Sequence, residues 1–195
     1  WIAEKSNVLY WGYNEENFSV TKQRLDTETL LHAGNIFDYQ NPVGLWKNIK
    51  SEIKQGRKLR IRFVGTVSPE IKNAISLAGL DGQTDYLGFL PYQQVVQEMM
   101  NATYLLVCAT ERRHVPGKLF EYLRTGNRII AYGDDNKEVG NILSESNAGI
   151  LLPYDYEGTD IFQRLQNVGP DPAAAKRFSR ENIAFQLAEL LKTTV

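Results

Sequence analysis

The sequence has little cysteine and histidine, no long apolar run, and almost no excess of charge of either sign. Its single cysteine, Cys108, cannot close an internal disulfide, and its two histidines, His32 and His114, lack the spacing and partners typical of a zinc site. No stretch approaches the roughly 18–20 consecutive apolar residues that a membrane-spanning helix needs. These shortages argue against a disulfide-stapled module, a zinc protein and a transmembrane helix within these residues.

The balance of charge argues against another class. With 22 Lys and Arg against 23 Asp and Glu, the net charge is −1, whereas a general nucleic-acid binder is normally strongly basic. The 195 residues, 43% of them apolar, suffice for one large domain with a substantial core. Because the first residue is Trp and no signal-peptide pattern follows, we expect the sequence to be a piece of a longer protein.

Several familiar nucleotide and catalytic motifs are also missing. Residues 34–38, GNIFD, follow the first clear strand where a dinucleotide-binding fold would have G-x-G-x-x-G. Neither the P-loop pattern G-x-x-x-x-G-K-[ST] nor the hydrolase pattern G-x-S-x-G occurs. His32 falls within an apolar strand, so we predict a buried core or strand-end residue rather than a ligand.

What is present, from Thr27 onward, is an alternation of short apolar runs with segments of helical periodicity, bounded by glycine and proline. The runs at 59–64 and 104–108 are rich in Ile, Leu, Val and Phe, as expected of strands covered on both faces. The alternation predicts an α/β fold, a Rossmann-like three-layer α/β/α domain with a mostly parallel six-stranded sheet. The predicted strands are 29–33, 59–64, 84–87, 104–108, 128–132 and 149–152.

Helix boundaries are predicted from capping residues, prolines and glycines. Start signals stand at Asn41-Pro42, Ser68-Pro69, Pro91, Pro116 and Asp134-Asp135. Stop signals stand at Gly79, Gly126 and Gly149.

Three segments are predicted along the chain. Residues 1–26 form an inter-domain linker, in which 7–11 (NVLYW) predicts a short strand. Residues 27–170 form the Rossmann-like domain. Residues 171–195 form a C-terminal helix or a broken pair of helices.

In such folds a ligand lies beyond the carboxyl ends of the strands, and one loop there is unusual in charge. Segment 111–128 contains five basic and two acidic residues, a net charge of +3. Pro116 predicts a helix start, so that the N–H groups of Gly117 and Lys118 would face a position where the helix dipole favours an anion. Lys118 and Glu121, three residues apart, share the exposed face of this helix.

Two interpretations of this face stay open. In the first, Lys118, Arg112 or Arg113 neutralises phosphates, through bonds worth about 1.5–3 kcal/mol each when desolvated, and Glu121 accepts hydrogen bonds from a ribose. In the second, Lys118 and Glu121 form a solvated ion pair worth under about 0.5 kcal/mol. His114 is likewise either a side chain near the ligand or a solvated turn residue.

Residues 117–134, GKLFEYLRTGNRIIAYGD, closely resemble the G-K-x-x-E-Y-L-A-x-G-x-P-I-[IL]-A segment of GT-B glycosyltransferases of the group 1, or family 4, type. Further segments resemble other parts of that family in the same order: 11–18, 30–42, 61–71, 85–107 and 141–153. The resemblance therefore spans nearly the whole chain. It implies the C-terminal, donor-binding half of a fold in which two Rossmann-like domains face each other across a cleft.

The resemblance also implies a function. The chain would be the donor-binding domain of a glycosyltransferase that moves a sugar from a nucleotide-diphosphate sugar to an acceptor, in cell-surface glycan synthesis. Neither a cofactor nor a metal is expected. The protein's own N-terminal acceptor domain would be a partner absent from this sequence, without which the domain would be inactive.

Particular residues of this chain match the family's functional positions. The implied catalytic residues are Lys118, Glu121 and Arg113. The implied donor nucleotide and phosphate-binding residues are Gly34, Gly88, Phe89, Leu90, Arg112, Gly117, Lys118 and Glu121.

The chain departs from the family pattern in two places. The first glutamate of the family's E-x7-E motif should stand eight positions before Glu121, and that residue is Arg113. The basic residues expected just after Gly34 are also missing, so Arg112, Arg113 and His114 are predicted to supply the charge. These departures leave two alternatives open: a degenerate, non-catalytic nucleotide-binding or assembly module, and a domain similar to nucleotide-sugar epimerases.

A basic stretch bears on location. Residues 47–62 contain seven basic residues and one acidic residue. This stretch suggests peripheral contact with anionic lipid at the inner face of the membrane, and the alternative is a solvated helix flank. We otherwise expect a bacterial, cytoplasmic protein with no nucleic-acid partner.

Overall fold

A single six-stranded sheet organises the computed structural model, which describes residues 6–23 and 25–193. Every neighbouring pair of strands is parallel, in the order β3-β2-β1-β4-β5-β6. The predicted Rossmann-like α/β fold is therefore confirmed, with a wholly rather than mostly parallel sheet. The strands are β1 (Glu28–Ala33), β2 (Leu59–Val64), β3 (Thr84–Gly88), β4 (Tyr104–Cys108), β5 (Arg128–Tyr132) and β6 (Gly149–Leu152).

Helices connect the strands and cover both faces of the sheet. The α-helices are α1 (Val43–Lys54), α2 (Pro69–Leu77), α3 (Tyr92–Asn101), α4 (Lys118–Thr125), α5 (Lys137–Glu145), α6 (Ile161–Gln166), α7 (Pro172–Lys176) and α8 (Arg180–Thr193). Short 3-10 helices lie at Glu15–Phe18, Asp38–Gln40 and Asp81–Gln83. No helix among the described residues is long and apolar enough to cross a membrane.

Two separate apolar layers hold the sheet between the helices. Successive side chains of a strand point to opposite faces. The neighbouring residues Leu30 and Leu31 on β1 are both fully buried, and so, to within 1%, are Leu105 and Leu106 on β4. In each pair one side chain packs in the first apolar layer and the other in the second. Covering on both faces is the reason that these strands are almost continuously apolar in sequence.

Some predicted helix boundaries are confirmed and others are wrong. Ser68 caps α2 by accepting a hydrogen bond from the Ile71 amide, with proline in the first turn as predicted. Gly126 ends α4 in the left-handed conformation, with φ of 68°. The fifth helix does not begin at Asp134-Asp135, because Asn136 provides its cap through the Val139 amide.

Gly149 does not end a helix, contrary to the prediction. The left-handed residue after α5 is Asn147, with φ of 44°, because a short polar side chain tolerates this conformation. Gly149 instead begins β6, where a Cβ atom would lie 2.1 Å from the backbone oxygen of Ile129. The glycine is needed for close approach of two strands.

The N-terminal segment is not a strand at 7–11, and that prediction is wrong. It packs instead on the C-terminal end of the chain, where Tyr13 and Ser179 form an isolated parallel bridge and Phe18 is buried beside Tyr13. The tail forms the predicted broken pair of helices, α7 and α8. Residues 1–5, Arg24 and the last two residues lie outside the described part of the chain, and the domain boundaries stay predictions.

We predict that Gly149→Ala destabilises the protein by about 1–3 kcal/mol, because its methyl group would force β5 and β6 apart. Gly82→Ala is the matched control, since a Cβ atom there meets nothing within 4 Å. Urea-induced unfolding of both variants measures the difference. Equal stability of the two variants would contradict the account of Gly149.

Candidate functional site

The sheet divides at the pair β1 and β4, where the strand order reverses. These strands pair through only two residue pairs, Leu30 with Tyr104 and Leu31 with Leu105. By contrast, β1 pairs with β2 through six residue pairs. Beyond Leu31 the carboxyl ends separate, and such a reversal point is where ligands bind in open α/β sheets.

A cleft of about 310 Å³ lies at this separation. Its walls come from the end of β1 and its loop, the end of β4, and the loop that leads into α4. The polar side chains that line it are His32, Asn35, Gln40, Thr110, His114, Lys118 and Tyr122. None of the described residues that line it is a carboxylate.

A larger cavity, of about 790 Å³, lies at the opposite edge of the sheet. It is lined by Glu28 at the start of β1, Thr103 before β4 and Arg128 at the start of β5. This is the amino edge of the strands, where ligands of such folds do not bind. We therefore assign the candidate site to the smaller cleft at the carboxyl edge.

Three side chains form hydrogen bonds with backbone groups that lack a strand partner where β1 and β4 separate. The Tyr122 hydroxyl on α4 accepts a hydrogen bond from the Ala33 amide at 2.8 Å. The Gln40 amide donates to the Cys108 carbonyl at 2.8 Å, and His32 Nδ1 lies 3.0 Å from the Leu106 carbonyl. Because buried backbone groups need partners, these bonds hold the cleft open without a penalty of unpaired polar atoms.

Glycines allow the loops after β1, β2 and β3 to stack closely beside the cleft. The Gly34 amide donates to Val64, and the Gly65 amide donates to Gly88 at 2.7 Å. A Cβ atom on Gly65 would lie 2.5 Å from the Gly34 carbonyl oxygen, so only glycine fits there, with φ of 106°. The stacking fixes Gly34 at the cleft and places Gly88 two loops away.

At the start of α4, Lys118 and Glu121 form an ion pair, with Lys118 Nζ 2.7 Å from Glu121 Oε2. Their side chains are only 30% and 19% exposed, so the pair is not the freely solvated one of the second interpretation. Tyr92 on α3 donates a hydrogen bond to the other oxygen of Glu121 at 2.7 Å, and Asn17 reaches the same hydroxyl. Burial, followed by Glu121, raises the pKa of Tyr92 to about 12, which keeps it a donor.

The structure brings part of the predicted set together. Gly34, Gly117 and Lys118 line one cleft, and Glu121 adjoins it through the ion pair. Gly117 and Lys118 also begin α4, where the first amides of a helix lack intrahelical partners and favour an anion. These four residues are the predicted phosphate-binding residues that the structure brings together.

Other predicted site residues lie elsewhere. Arg112 and Arg113 line a separate cavity with Tyr10 and Glu138, and Arg112 pairs with Asp135 at 2.9 Å. The three residues at the end of β3 lie beyond the stacked loops: Gly88, Phe89, which is 80% exposed, and Leu90, which packs on the core. The roles of all five as binding or catalytic residues stay predictions.

Two histidines line the cleft. His114 is exposed, and its Nδ1 accepts a hydrogen bond from the Thr110 amide at 3.2 Å. His32 is buried, as predicted, but it also lines the cleft, which the sequence did not indicate. Sequence reasoning also missed Gln40 and Tyr122, and only the predicted adjacency of β1 and β4 could have pointed to them.

No group of three or more His, Cys, Asp or Glu side chains within residues 6–23 and 25–193 is arranged to hold a metal ion. The expectation that binding needs no metal stays a prediction.

No protein-family model and no curated protein matches this sequence. Solved structures do match. A crystal structure of Anabaena Alr3699/HepE in complex with UDP and glucose has a TM-score of 0.72 at 14% identity, covering 98% of this chain and 58% of that one. Lipopolysaccharide outer core galactosyltransferase WaaB gives 0.71 at 17% identity, covering 99% and 57%. Sucrose-phosphate synthase from Thermosynechococcus elongatus gives 0.65 at 16% identity, covering 94% and 51%.

At these identities the likeness shows the fold. The chain has the fold of one part of GT-B glycosyltransferase structures and fits their C-terminal domain, so the resemblance found in the sequence is confirmed at that level. The chain spans between 51% and 58% of the length of these three structures.

We predict that Tyr122→Phe destabilises the protein by about 1–3 kcal/mol, because the buried Ala33 amide loses its acceptor. Tyr132→Phe is the matched control, since the buried hydroxyl of Tyr132 has no hydrogen-bond partner among the described residues. Its removal should leave stability unchanged or slightly higher. Urea unfolding compares the variants, and equal losses would contradict the role given to Tyr122.

Proposed function

We propose that this chain binds the nucleotide-diphosphate-sugar donor of a glycosyltransferase. The observation that supports this most is the cleft where β1 and β4 separate, with Lys118 and the start of α4 on its wall and no carboxylate among the described residues that line it. The fold shared with glycosyltransferases, one of which was crystallised with UDP and glucose, agrees with this choice of ligand.

The diphosphate would bind at the start of α4. There the helix dipole and the free amides favour an anion, and Lys118 adds a charge on a flexible chain. Lys118 is held by Glu121 at 2.7 Å, so binding would transfer the ammonium from the carboxylate to a phosphate oxygen. Glu121 would keep its bond from Tyr92 and accept a hydrogen bond from a ribose hydroxyl with its other oxygen.

In catalysis these groups would act on the leaving group. As the bond between sugar and diphosphate breaks, negative charge grows on the phosphate oxygen, and Lys118 with the start of α4 would stabilise it. Electrostatic stabilisation of this kind often supplies the largest part of catalysis. Arg113 would join only after a movement of the loop before α4, because it lines the neighbouring cavity.

The acceptor would bind to a further domain. The chain spans 58% of the HepE structure, and we propose that an N-terminal domain facing the cleft completes the active site. On this proposal the isolated chain binds nucleotide weakly and does not turn over. A role in cell-surface glycan synthesis in the bacterial cytoplasm is the proposed setting.

The basic stretch 47–62 gives little support to membrane contact. Most of its charge is already paired with acidic side chains, which favours the solvated-flank interpretation. The pairs are Lys47 with Glu157, Arg57 with Glu28, Arg60 with Asp85, and Arg62 with Glu98.

A second candidate function is a non-catalytic nucleotide-binding module. It is favoured by Arg113, which stands where the resembling family has its first glutamate, and by the position of Arg113 outside the cleft. Such a module would bind the donor with the same residues but would support no transfer, even with an acceptor domain present. Sugar transfer by the protein with its acceptor domain therefore separates the two candidates.

We predict that the full chain binds one nucleoside diphosphate among UDP, GDP and ADP, or its sugar, in preference to the monophosphate CMP. Lys118→Ala and Glu121→Ala should each weaken binding, by roughly 10- to 150-fold where a charge-assisted bond is lost. Isothermal titration calorimetry, with and without Mg²⁺, measures the affinities.

Lys192→Ala is the control for this experiment, because it removes a lysine from another ion pair at i, i+3 spacing, with Glu189 on α8. Its affinity should equal that of the unmodified chain. If no nucleotide binds to the protein with its acceptor domain, the proposed function is wrong.

A further inference from the structure

His32 presents an unpartnered polar atom at the cleft. Its side chain is 8% exposed and lines the cleft wall, and among the described residues Nε2 has no hydrogen-bond partner. Buried polar atoms are nearly always paired, by protein, water or ligand. The unpaired nitrogen therefore points to a group that arrives with the ligand.

The other ring nitrogen fixes what Nε2 can do. Nδ1 lies 3.0 Å from the Leu106 carbonyl, which only accepts, so Nδ1 bears a hydrogen. In the neutral ring Nε2 is then a bare acceptor, and in the protonated ring it is a donor. A ligand hydroxyl would suit the first form and a phosphate oxygen the second.

The surroundings of His32 favour the neutral form in the free protein. Burial lowers the pKa of His32, the carbonyl of Leu106 raises it, and the positive charge of Lys118 lowers it further. The nearby backbone of Asn35 also raises it, although it makes no hydrogen bond of acceptable geometry with Nε2. The free protein thus holds the ring neutral, beside the one charged residue of the cleft wall within the described chain.

The remaining neighbours of the ring are uncharged. On β4, burial raises the pKa of the Cys108 thiol to about 12, and on α4 burial likewise raises the pKa of Tyr122. From β2 the Phe63 ring faces His32, and His114 lines the same cleft. No carboxylate among the described residues of the cleft wall therefore competes for a proton with His32.

The charges at the cleft favour a phosphate oxygen over a ligand hydroxyl as the partner of Nε2. Lys118 is the only permanently charged side chain on the described cleft wall, and Glu121 neutralises it. A diphosphate brings about two negative charges, which need partners when they leave water. His32 is the buried group within the cleft that can gain a positive charge.

We propose that His32 takes up a proton from solvent when a diphosphate group enters the cleft, and that its Nε2–H then donates a hydrogen bond to a phosphate oxygen. One proton moves from solvent to Nε2, where an N–H bond forms, and no bond of the ligand changes. The inference rests on the proposed function and deepens it, because it makes donor binding dependent on pH. Affinity falls as pH rises from the lowered pKa of His32 in the free protein to its raised pKa in the complex, because over that range a proton must be taken up for the ligand to bind.

The test is calorimetric binding of UDP-glucose to the full chain near pH 7 in two buffers of different ionisation enthalpy. Both phosphates of a nucleotide sugar are fully ionised at this pH, so any proton taken up goes to the protein. We expect uptake that approaches one proton per ligand and, over the same pH range, an affinity that falls up to tenfold per pH unit as the pH is raised.

His32→Gln should abolish the uptake and flatten the pH profile. The sequence has one other histidine, His114, which lines the same cleft, so His114→Gln tests whether the proton goes there instead. Uptake that persists in His32→Gln, or binding of UDP-glucose without uptake, overturns the inference. If His32→Gln does not fold, the C2 proton resonance of His32 in the unmodified chain shows directly whether the pKa rises on binding.

If UDP-glucose does not bind, inorganic diphosphate separates this inference from the proposed function. A rise in the His32 pKa with diphosphate alone supports the inference although the choice of donor fails. A His32 resonance that neither ligand shifts overturns the inference.

Discussion

The separation of β1 from β4 after two residue pairs is the constraint on which the site depends. Parallel strands that part at their carboxyl ends release backbone groups into the interior, and an unpaired buried group costs about 1–3 kcal/mol. Tyr122, Gln40 and His32 take these groups, each from a different part of the chain. The same three side chains line the cleft, so its stability and its shape are set together.

The hydrogen bond between Tyr122 and the Ala33 amide also fixes the position of α4. The Tyr122 hydroxyl holds the helix against the end of β1, which aims the first turn, with Gly117 and Lys118, into the cleft. On the far side, Tyr92 holds Glu121 and thereby limits where Lys118 can rest. The start of α4, the part of the site proposed to bind phosphate, is thus held by the neighbouring elements α3 and β1.

Strands and turns that depend on the local pattern of residues are predicted correctly from the sequence. Features that depend on packing between distant segments are not. The apolar run of β4 predicted a strand because it is buried on both faces. The NVLYW run looked similar, but it lies on the outside of the domain, with Trp11 exposed. Asn147 rather than Gly149 takes the left-handed turn, a choice that depends on the approach of β6 to Ile129. Arg112 and Arg113 were grouped with Lys118 by sequence distance, yet the turn of the loop directs them to another cavity.

In the protein without a ligand, the charged groups of the site are paired or neutral, which avoids the cost of a buried unpaired charge. A buried cation without a partner is costly, so Lys118 is held by Glu121, and burial with the nearby ammonium keeps His32 neutral. On the proposals made above, an anion in the cleft would reverse both preferences, because it would compete with Glu121 for Lys118 and would offset the burial and the nearby charge that oppose a proton on His32. A bound anion would therefore meet more positive charge than the free cleft carries. A net charge of −1 for the whole chain and a nearly neutral cleft are both compatible with selective binding of a diphosphate.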